Sequence, residues 1–128
     1  MADVKELENW IAYAEEDLNA AKLLLKGKKP LLSAACFHAQ QCAEKYLKAL
    51  LIFKDFDFPK SHDLVTLDSL CAQNGILTGF DAEKLTDLSK HAIQTRYPGN
   101  QPTPEEAKEA IEIAAEVRKF TRKFLGLK

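Results

Sequence analysis

Basic and hydrogen-bonding side chains that could bind phosphate lie in three short segments of this 128-residue chain. These segments are Lys45 with Lys48, the run Ser61-His62-Asp63, and the run Arg96-Tyr97-Pro98. Guanidinium and ammonium groups bind phosphate oxygens, and an aromatic ring can stack on a base. Arg96, Tyr97, Lys45, Lys48 and His62 therefore supply the residue types that binding of a phosphate and a base requires, and they are the candidate binding residues.

Each of these residues also has a purely structural interpretation. Arg96 can pair with a carboxylate or satisfy the carbonyls at a helix end. The lysines can lie on a solvated helix edge, where Lys48 would form an i, i+4 pair with Glu44. His62 can bond to a backbone carbonyl in the loop after the second predicted helix, and Tyr97 can anchor a turn. The residue types leave both interpretations open.

No acid-base pair or nucleophile is predicted. Neighbours in the run Glu15-Glu16-Asp17 diverge by about 100° on a helix, so this run is interpreted as a solvated face. The run Ser61-His62-Asp63 contains the residue types of a catalytic triad, but adjacent residues cannot line up in that way. Ser61 is instead predicted to cap a helix. The five glycines stand apart, so no phosphate-cradling loop is present. No catalytic residue is assigned.

Neither a metal site nor a cofactor is expected. The three cysteines, Cys36, Cys42 and Cys71, lie in apolar segments, and their odd number indicates buried small side chains rather than a disulfide framework. Cys36 and Cys42 are about 600° apart on a helix and so point to different sides. The three histidines are equally scattered along the chain.

The composition is that of a globular protein. Hydrophobic residues make up 46% and charged residues 29%, which predicts a single domain over residues 1–128. A net charge of -1 removes the broad attraction on which non-specific binding to DNA or RNA depends. There is no run of eighteen apolar residues and no basic-then-apolar start, so we expect a cytoplasmic protein without a membrane span.

Apolar residues recur at spacings of three and four along most of the chain, which predicts an all-α protein. Capping residues, glycines and prolines divide the pattern into five helices. Their predicted limits are Asp3 to Gly27, Leu31 to Phe53, Ser61 to Gly75, Asp81 to the Tyr97-Pro98 break, and Thr103 to about Gly126. Three long helices and two short ones with short connections predict an up-and-down helical bundle.

The second predicted helix has two unlike faces. One half of its circumference is apolar and is predicted to lie in the core. The other half is polar, but Phe37, Leu51 and Ile52 project among its amides and charges. A mixed face of this kind indicates a partner or a pocket, and aromatic and amide groups suit the centre of an interface. Phe37, Gln41 and Ile52 are therefore the predicted interface residues.

These features together resemble the HEPN domain family, whose name describes a nucleotide-binding domain of higher eukaryotes and prokaryotes. The resemblance rests on Trp10, Asp17-Leu18, AQQCAEKYLKALL at 39–51, KSHDL at 60–64 and RYP at 96–98, and it covers nearly the whole chain. The most specific parts are the central QQCAEKYLKALL and the pair His62 and Leu64 after a proline.

The resemblance implies a bundle of about five helices that is commonly a homodimer. It also implies a small nucleotidyltransferase partner in a two-component pair, in which members resemble toxins or antitoxins. Many HEPN proteins are metal-independent ribonucleases that carry an arginine, four to six variable residues and a histidine.

The chain departs from that ribonuclease motif, because no histidine follows His91, which itself precedes Arg96. RNA cleavage needs a group that takes the 2′-hydroxyl proton, and an arginine cannot do so near neutral pH. His62 or His91 could replace the missing histidine after folding. We therefore expect a HEPN-like partner of a nucleotidyltransferase with a nucleotide such as ATP as its ligand. A ribonuclease with an atypical site and a purely structural dimerisation module are the alternatives.

Overall fold

Five α-helices and a short 3-10 turn form the regular structure of the computed structural model, which describes residues 3–92 and 101–128. The elements are α1 (Val4–Lys26), α2 (Leu32–Phe53), α3 (Leu64–Gln73), α4 (Ala82–Ser89), the 3-10 turn (Lys90–Ala92) and α5 (Pro104–Phe124). The predicted all-α bundle of three long and two short helices is confirmed. No helix within the described ranges is both long and apolar enough to cross a membrane.

Side chains cap the N-terminal ends of α1 and α5 at the residues that the sequence predicts. The Asp3 carboxylate accepts hydrogen bonds from two backbone N–H groups of the first turn of α1, at 3.0 and 3.2 Å. Thr103 and Glu106 form a reciprocal capping box at the start of α5, with Pro104 in the first turn. Such caps satisfy N–H groups that have no partner inside the helix.

The predicted cap of α3 is wrong by two residues. Asp63, not Ser61, precedes the helix, and its carboxylate accepts from the Val65 N–H at 3.1 Å. The Ser61 hydroxyl accepts from the Asp63 N–H at 3.1 Å, so it orders the turn before the helix. The predicted end of α3 at Asn74-Gly75 is confirmed, because the helix ends at Gln73 and Gly75 follows with a left-handed φ of 83°. Residues other than glycine rarely adopt this angle. The predicted end of α4 at Tyr97-Pro98 lies outside the described residues.

The second helix, α2, is the centre of the bundle. The first helix runs antiparallel to it, because Trp10 lies near Lys48 whereas Asp17, further along α1, contacts Lys45. The last helix runs parallel to α2, and the rings of Phe53 and Phe124 meet at their C-terminal ends. The two short helices pack across α2, and α4 also contacts α5.

Large side chains without solvent exposure fill the space between these helices, and each contributes about 1.5–3 kcal/mol by leaving water. They include Tyr46, Leu47, Leu50, Leu51, Leu64, Leu67, Ile76 and Val117. The three cysteines are also buried, as predicted. Burial, with a smaller contribution from Asp68, raises the pKa of the Cys71 thiol to about 12.

The polar half of α2 is also largely covered by the rest of the chain. Gln40, Glu44 and Lys48 are buried there, and Leu51 and Ile52 are buried beside them, with Ile52 only 8% exposed. The sequence did not predict this cover, because it comes from α1 and from the segment between α2 and α3. Two buried acidic or basic side chains on one helix require partners, and these partners define the candidate site.

Candidate functional site

A buried carboxylate on α1 gathers two basic residues of α2; we call Asp17, His38 and Lys45 the Asp17 cluster. Asp17 Oδ1 lies 2.9 Å from His38 Nδ1, and Asp17 Oδ2 accepts from Lys45 Nζ at 2.5 Å. His38 and Lys45 are seven positions apart, or about two helical turns, so they project from the same side of α2. The side chain of Lys45 remains 25% exposed.

The prediction that residues 15–17 form a solvated face is therefore wrong except at the exposed Glu16. Besides the paired Asp17, Glu15 accepts from Arg118 Nε at 2.6 Å and from the Tyr46 hydroxyl. Burial alone would raise the pKa of the Glu15 carboxyl, but the hydrogen bonds from Arg118 and Tyr46 outweigh it and the pKa is lowered. The three carboxylates thus have different environments, because successive helical residues point in different directions.

A second buried carboxylate forms the Glu44 cluster, which consists of Gln40, Glu44, Lys48 and His62. Lys48 Nζ donates to Glu44 Oε2 at 2.9 Å. Glu44 Oε1 accepts from Gln40 Nε2 at 3.1 Å and lies 2.9 Å from His62 Nδ1. Burial would raise the pKa of Glu44, but hydrogen bonds from Lys48, Gln40 and His62, with the charge of Lys48, lower it. The carboxylate therefore stays ionised at neutral pH.

Lys48 is enclosed by aromatic rings as well as paired with Glu44. It is 7% exposed, and its ammonium lies 5.8 Å from the centre of the Trp10 ring and 5.3 Å from that of Phe58. Both contacts are within the range of cation–π attraction. The i, i+4 pair with Glu44 that the sequence offered as an alternative is present, although it is buried instead of solvated.

His62 reaches back from the loop after α2 to that helix. Its ring bonds to the Glu44 carboxylate, so the predicted bond to a backbone carbonyl of the exit loop is wrong. Its own carbonyl accepts from Gln40 Nε2 at 3.1 Å, which fixes the loop a second time. The side chain of His62 nevertheless remains 66% exposed.

A groove lies beside the two clusters, between α1 and Lys45. It has a volume of about 480 Å³ and is lined by Glu6, Asn9, Trp10, Tyr13 and Lys45. The four residues of α1 follow the spacing i, i+3, i+4 and i+7, which places them on one side of the helix. Tyr13 is not among the site residues predicted from the sequence. The spacing of three residues between Trp10 and Tyr13 predicts that the two rings lie on the same side of α1. It does not predict that Lys45 of α2 lies beside them.

The structure brings three of the five predicted nucleotide-binding residues to one side of the bundle. Lys48 and His62 share the Glu44 carboxylate, and Lys45 pairs with Asp17. The rings of Trp10 and Tyr13 on α1 lie beside Lys48 and Lys45, respectively. Arg96 and Tyr97 lie outside the described residues. Within the described part of the chain, no group of three histidine, cysteine, aspartate or glutamate side chains could hold a metal ion.

The predicted interface residues differ in exposure. Phe37 is half-buried, with its ring 5.4 Å from and edge-on to that of His38. Gln41 is half-buried and donates to Gln40 Oε1 at 2.8 Å. Ile52 is buried within the chain, so little of its surface remains for a partner.

Comparison with known proteins gives matches that span almost the whole chain. The family model described as HEPN domain matches residues 7–124. A Methanocaldococcus jannaschii protein named Putative toxin MJ1304 is 27% identical over 139 aligned positions, which cover 96% of this chain and 90% of that protein.

Two solved structures share the fold over most of both chains. The first, ST0689, described as an archaeal HEPN homologue, has a TM-score of 0.69 and 28% identity, and the match covers 93% of this chain and 97% of ST0689. The second, TT1696 from Thermus thermophilus, has a TM-score of 0.70 and 26% identity over 91% of this chain and 96% of TT1696.

Proposed function

The chain belongs to the HEPN domain family, and we propose that it acts as one component of a two-component, toxin-antitoxin-like system. The observation that carries this proposal is the likeness to the M. jannaschii protein named Putative toxin MJ1304, which extends over 96% of the chain. A likeness over this length supports a shared role of the whole domain more strongly than one short motif would.

A small nucleotidyltransferase is the proposed partner, and the working unit of this chain is a homodimer. The family resemblance is the main support for both. Phe37 and Gln41 add to it, because both are half-buried in the single chain and carry the aromatic and amide groups that suit an interface. Ile52 is the weaker interface candidate, since it is already buried.

A nucleotide is the proposed ligand of the basic residues. Lys45 is the strongest candidate among the described residues, because its side chain is 25% exposed and its ammonium lies over the Tyr13 ring. The enclosed Lys48 is better suited to holding the site together. Arg96 and Tyr97 stay in the proposed set for their guanidinium fork and stacking ring.

RNA cleavage is the second candidate function, and one observation favours it. His62 has one ring nitrogen bonded to a buried carboxylate on a largely exposed side chain. A histidine held in this way has the arrangement of a general base. If this function applies, His62→Ala abolishes cleavage of a single-stranded RNA, whereas Lys119→Ala, at an exposed cation outside the candidate site, leaves it unchanged.

Titration with ATP by calorimetry tests the proposed ligand. We expect saturable heat with the wild-type chain and its loss in Arg96→Ala, with the helical circular dichroism spectrum unchanged. Lys119→Ala is the matched control, since Lys119 is an exposed cation on α5. The absence of heat at millimolar ATP would contradict nucleotide binding and leave the interaction-module alternative in its place.

Co-purification tests the proposed partner. The chain is co-expressed with a minimal nucleotidyltransferase from the same genome, and the complex is sized by chromatography with light scattering. We expect a stable complex that contains two copies of this chain. Elution of the two proteins as separate species at micromolar concentration would contradict the proposal.

A further inference from the structure

The groove between α1 and Lys45 combines an aromatic wall with one partly exposed cation. Trp10 and Tyr13 supply the wall, and Tyr13 is 60% exposed, unlike the tyrosine of the core. A volume of about 480 Å³ is within the range of pockets that bind small molecules. The groove is therefore large enough to hold a planar ring system beside this wall.

The aromatic wall is held in place before any ligand arrives. The Trp10 ring packs edge-on against Phe58, with 5.8 Å between ring centres and 85° between planes, and Lys48 lies 5.8 Å from its centre. On the Tyr13 side, the Lys45 ammonium lies 5.9 Å from the ring centre. Rings that are already ordered lose little conformational entropy on binding.

The charge of Lys45 decides which ligand fits. An ammonium group has three donors, and the Asp17 carboxylate accepts one of them. A cationic ligand would meet like charge beside Tyr13, where the lysine already occupies the cation–π position. A wholly apolar ligand would cover the remaining donors without giving them a partner. The Lys45 end of the groove therefore favours the negative group of a planar ligand, whereas the Glu6 carboxylate disfavours such a group at the other end.

Polar groups at the other end of the groove add a second requirement. Glu6 and Asn9 lie one to two turns before Tyr13 on the same side of α1. A carboxylate accepts from hydroxyl or amino groups, and an amide side chain both accepts and donates. Sugar hydroxyls and the exocyclic amine of a base present such groups.

We propose that this groove binds a nucleoside phosphate, with the base stacked on Trp10 and Tyr13 and a phosphate at Lys45. The inference rests on the proposed function, because it names the place where its nucleotide binds. In this inference the base stacks on Trp10 and Tyr13 of α1 instead of on Tyr97. Lys48 does not contact the ligand and instead positions the Trp10 ring.

The fluorescence of Trp10 reports directly on the groove, because Trp10 is the single tryptophan of the chain. ATP is titrated into the wild-type protein while tryptophan emission and, in parallel, calorimetric heat are recorded. Free N-acetyltryptophanamide corrects for absorption by ATP. Adenosine and inorganic tripolyphosphate are titrated separately. Adenosine tests binding of the base and sugar alone, and tripolyphosphate tests binding of the negative charge alone.

Variants of Tyr13 separate stacking from other effects. Its exposure means that Tyr13→Ala should fold normally, and loss of one stacking ring should weaken ATP binding about tenfold. Tyr13→Phe keeps the ring and should bind as the wild type does. Leu23→Ala, an exposed apolar residue on α1 outside the groove, is the matched control and should also bind normally.

The expected result is a saturable change in Trp10 emission with the same midpoint as the heat, and weaker binding of adenosine and of tripolyphosphate than of ATP. Heat without any change in emission, or equal ATP affinity in Tyr13→Ala and wild type, would show that the nucleotide binds outside the groove. Either result would overturn the inference and leave the proposed nucleotide binding intact. No heat at all would overturn both. A change in emission caused by the nucleotidyltransferase but not by ATP would assign the groove to the partner protein and also overturn the inference.

Discussion

Asp17 and Glu44 are carboxylates that the fold removes from water, and each is paired with a lysine and a histidine. Removing an ion from water costs several kcal/mol unless partners compensate, and these pairs supply the compensation. The consequence for the site is that Lys45 and Lys48 are oriented by their carboxylates. They are fixed donors on one side of α2 and not mobile surface lysines.

The Glu44 pair predicts a specific pH dependence of stability. The pKa of Glu44 lies below its ordinary value of 4.5 in the folded chain, so the ionised carboxylate stabilises the fold. This contribution is complete above the unfolded-state pKa and is lost as the pH falls through the lower, folded-state value. Glu44→Gln should therefore reduce the free energy of unfolding by about 2 kcal/mol at neutral pH, and the difference from wild type should shrink at acid pH.

Urea denaturation at a series of pH values between about 3 and 7 measures this difference. Glu16→Gln is the control, because Glu16 is exposed on α1 and should change stability by less than about 0.5 kcal/mol at every pH. A difference for Glu44→Gln that is the same at both ends of the series would show that the charge of Glu44 does not stabilise the fold.

The residue types of the site could be predicted from the sequence, but their pairing could not. Lys45, Lys48 and His62 were predicted because basic and hydrogen-bonding groups are recognisable one residue at a time. The partner of Lys45 is Asp17, 28 positions earlier, and it meets the lysine only because α1 and α2 are antiparallel. Helical periodicity places residues on a face of one helix and says nothing about which helix covers that face.

At the scale of the elements, α2 connects the core to the candidate site. Its apolar side contacts the other long helices, while its buried polar side holds the loop of His62 and the rings of α1. The limits of α1, α2 and α5 could be predicted because caps, glycine and proline are local signals. The cover over the polar side of α2 could not, since it depends on the path of a loop without helical periodicity.

The start of α3 provides a test at this scale. Asp63→Ala removes the side chain that caps the helix and should lower the free energy of unfolding by about 1 kcal/mol. Ser61→Ala leaves that cap in place and should cost only a few tenths of a kcal/mol, because its hydroxyl serves an exposed turn. Urea denaturation of both variants at neutral pH gives the comparison. A larger loss in Ser61→Ala than in Asp63→Ala would contradict the assignment of the cap.

At the scale of the whole molecule, one bundle carries two kinds of surface. The groove of α1 has features suited to a small ligand, and Phe37 and Gln41 on α2 have features suited to another protein. The proposed nucleotide and the proposed partner would therefore bind through different residues. The two activities should then be separable by substitution.

Phe37 tests the proposed homodimer. If its ring lies at the centre of the interface, Phe37→Ala should weaken self-association by about 2 kcal/mol, or roughly 30-fold in the dissociation constant. Sedimentation over a dilution series measures that constant, with Leu23→Ala as the control on the outer side of α1. An unchanged constant in Phe37→Ala would exclude Phe37 from the dimer interface.

Growth of a bacterial host tests the central claim most directly. The host expresses this chain alone, a minimal nucleotidyltransferase from the same genome alone, or both together from separately inducible promoters. A toxin-antitoxin-like pair predicts that one of the two proteins slows growth when expressed alone and that co-expression restores it. Normal growth in all three cultures, or arrest that co-expression does not relieve, would contradict the proposed function.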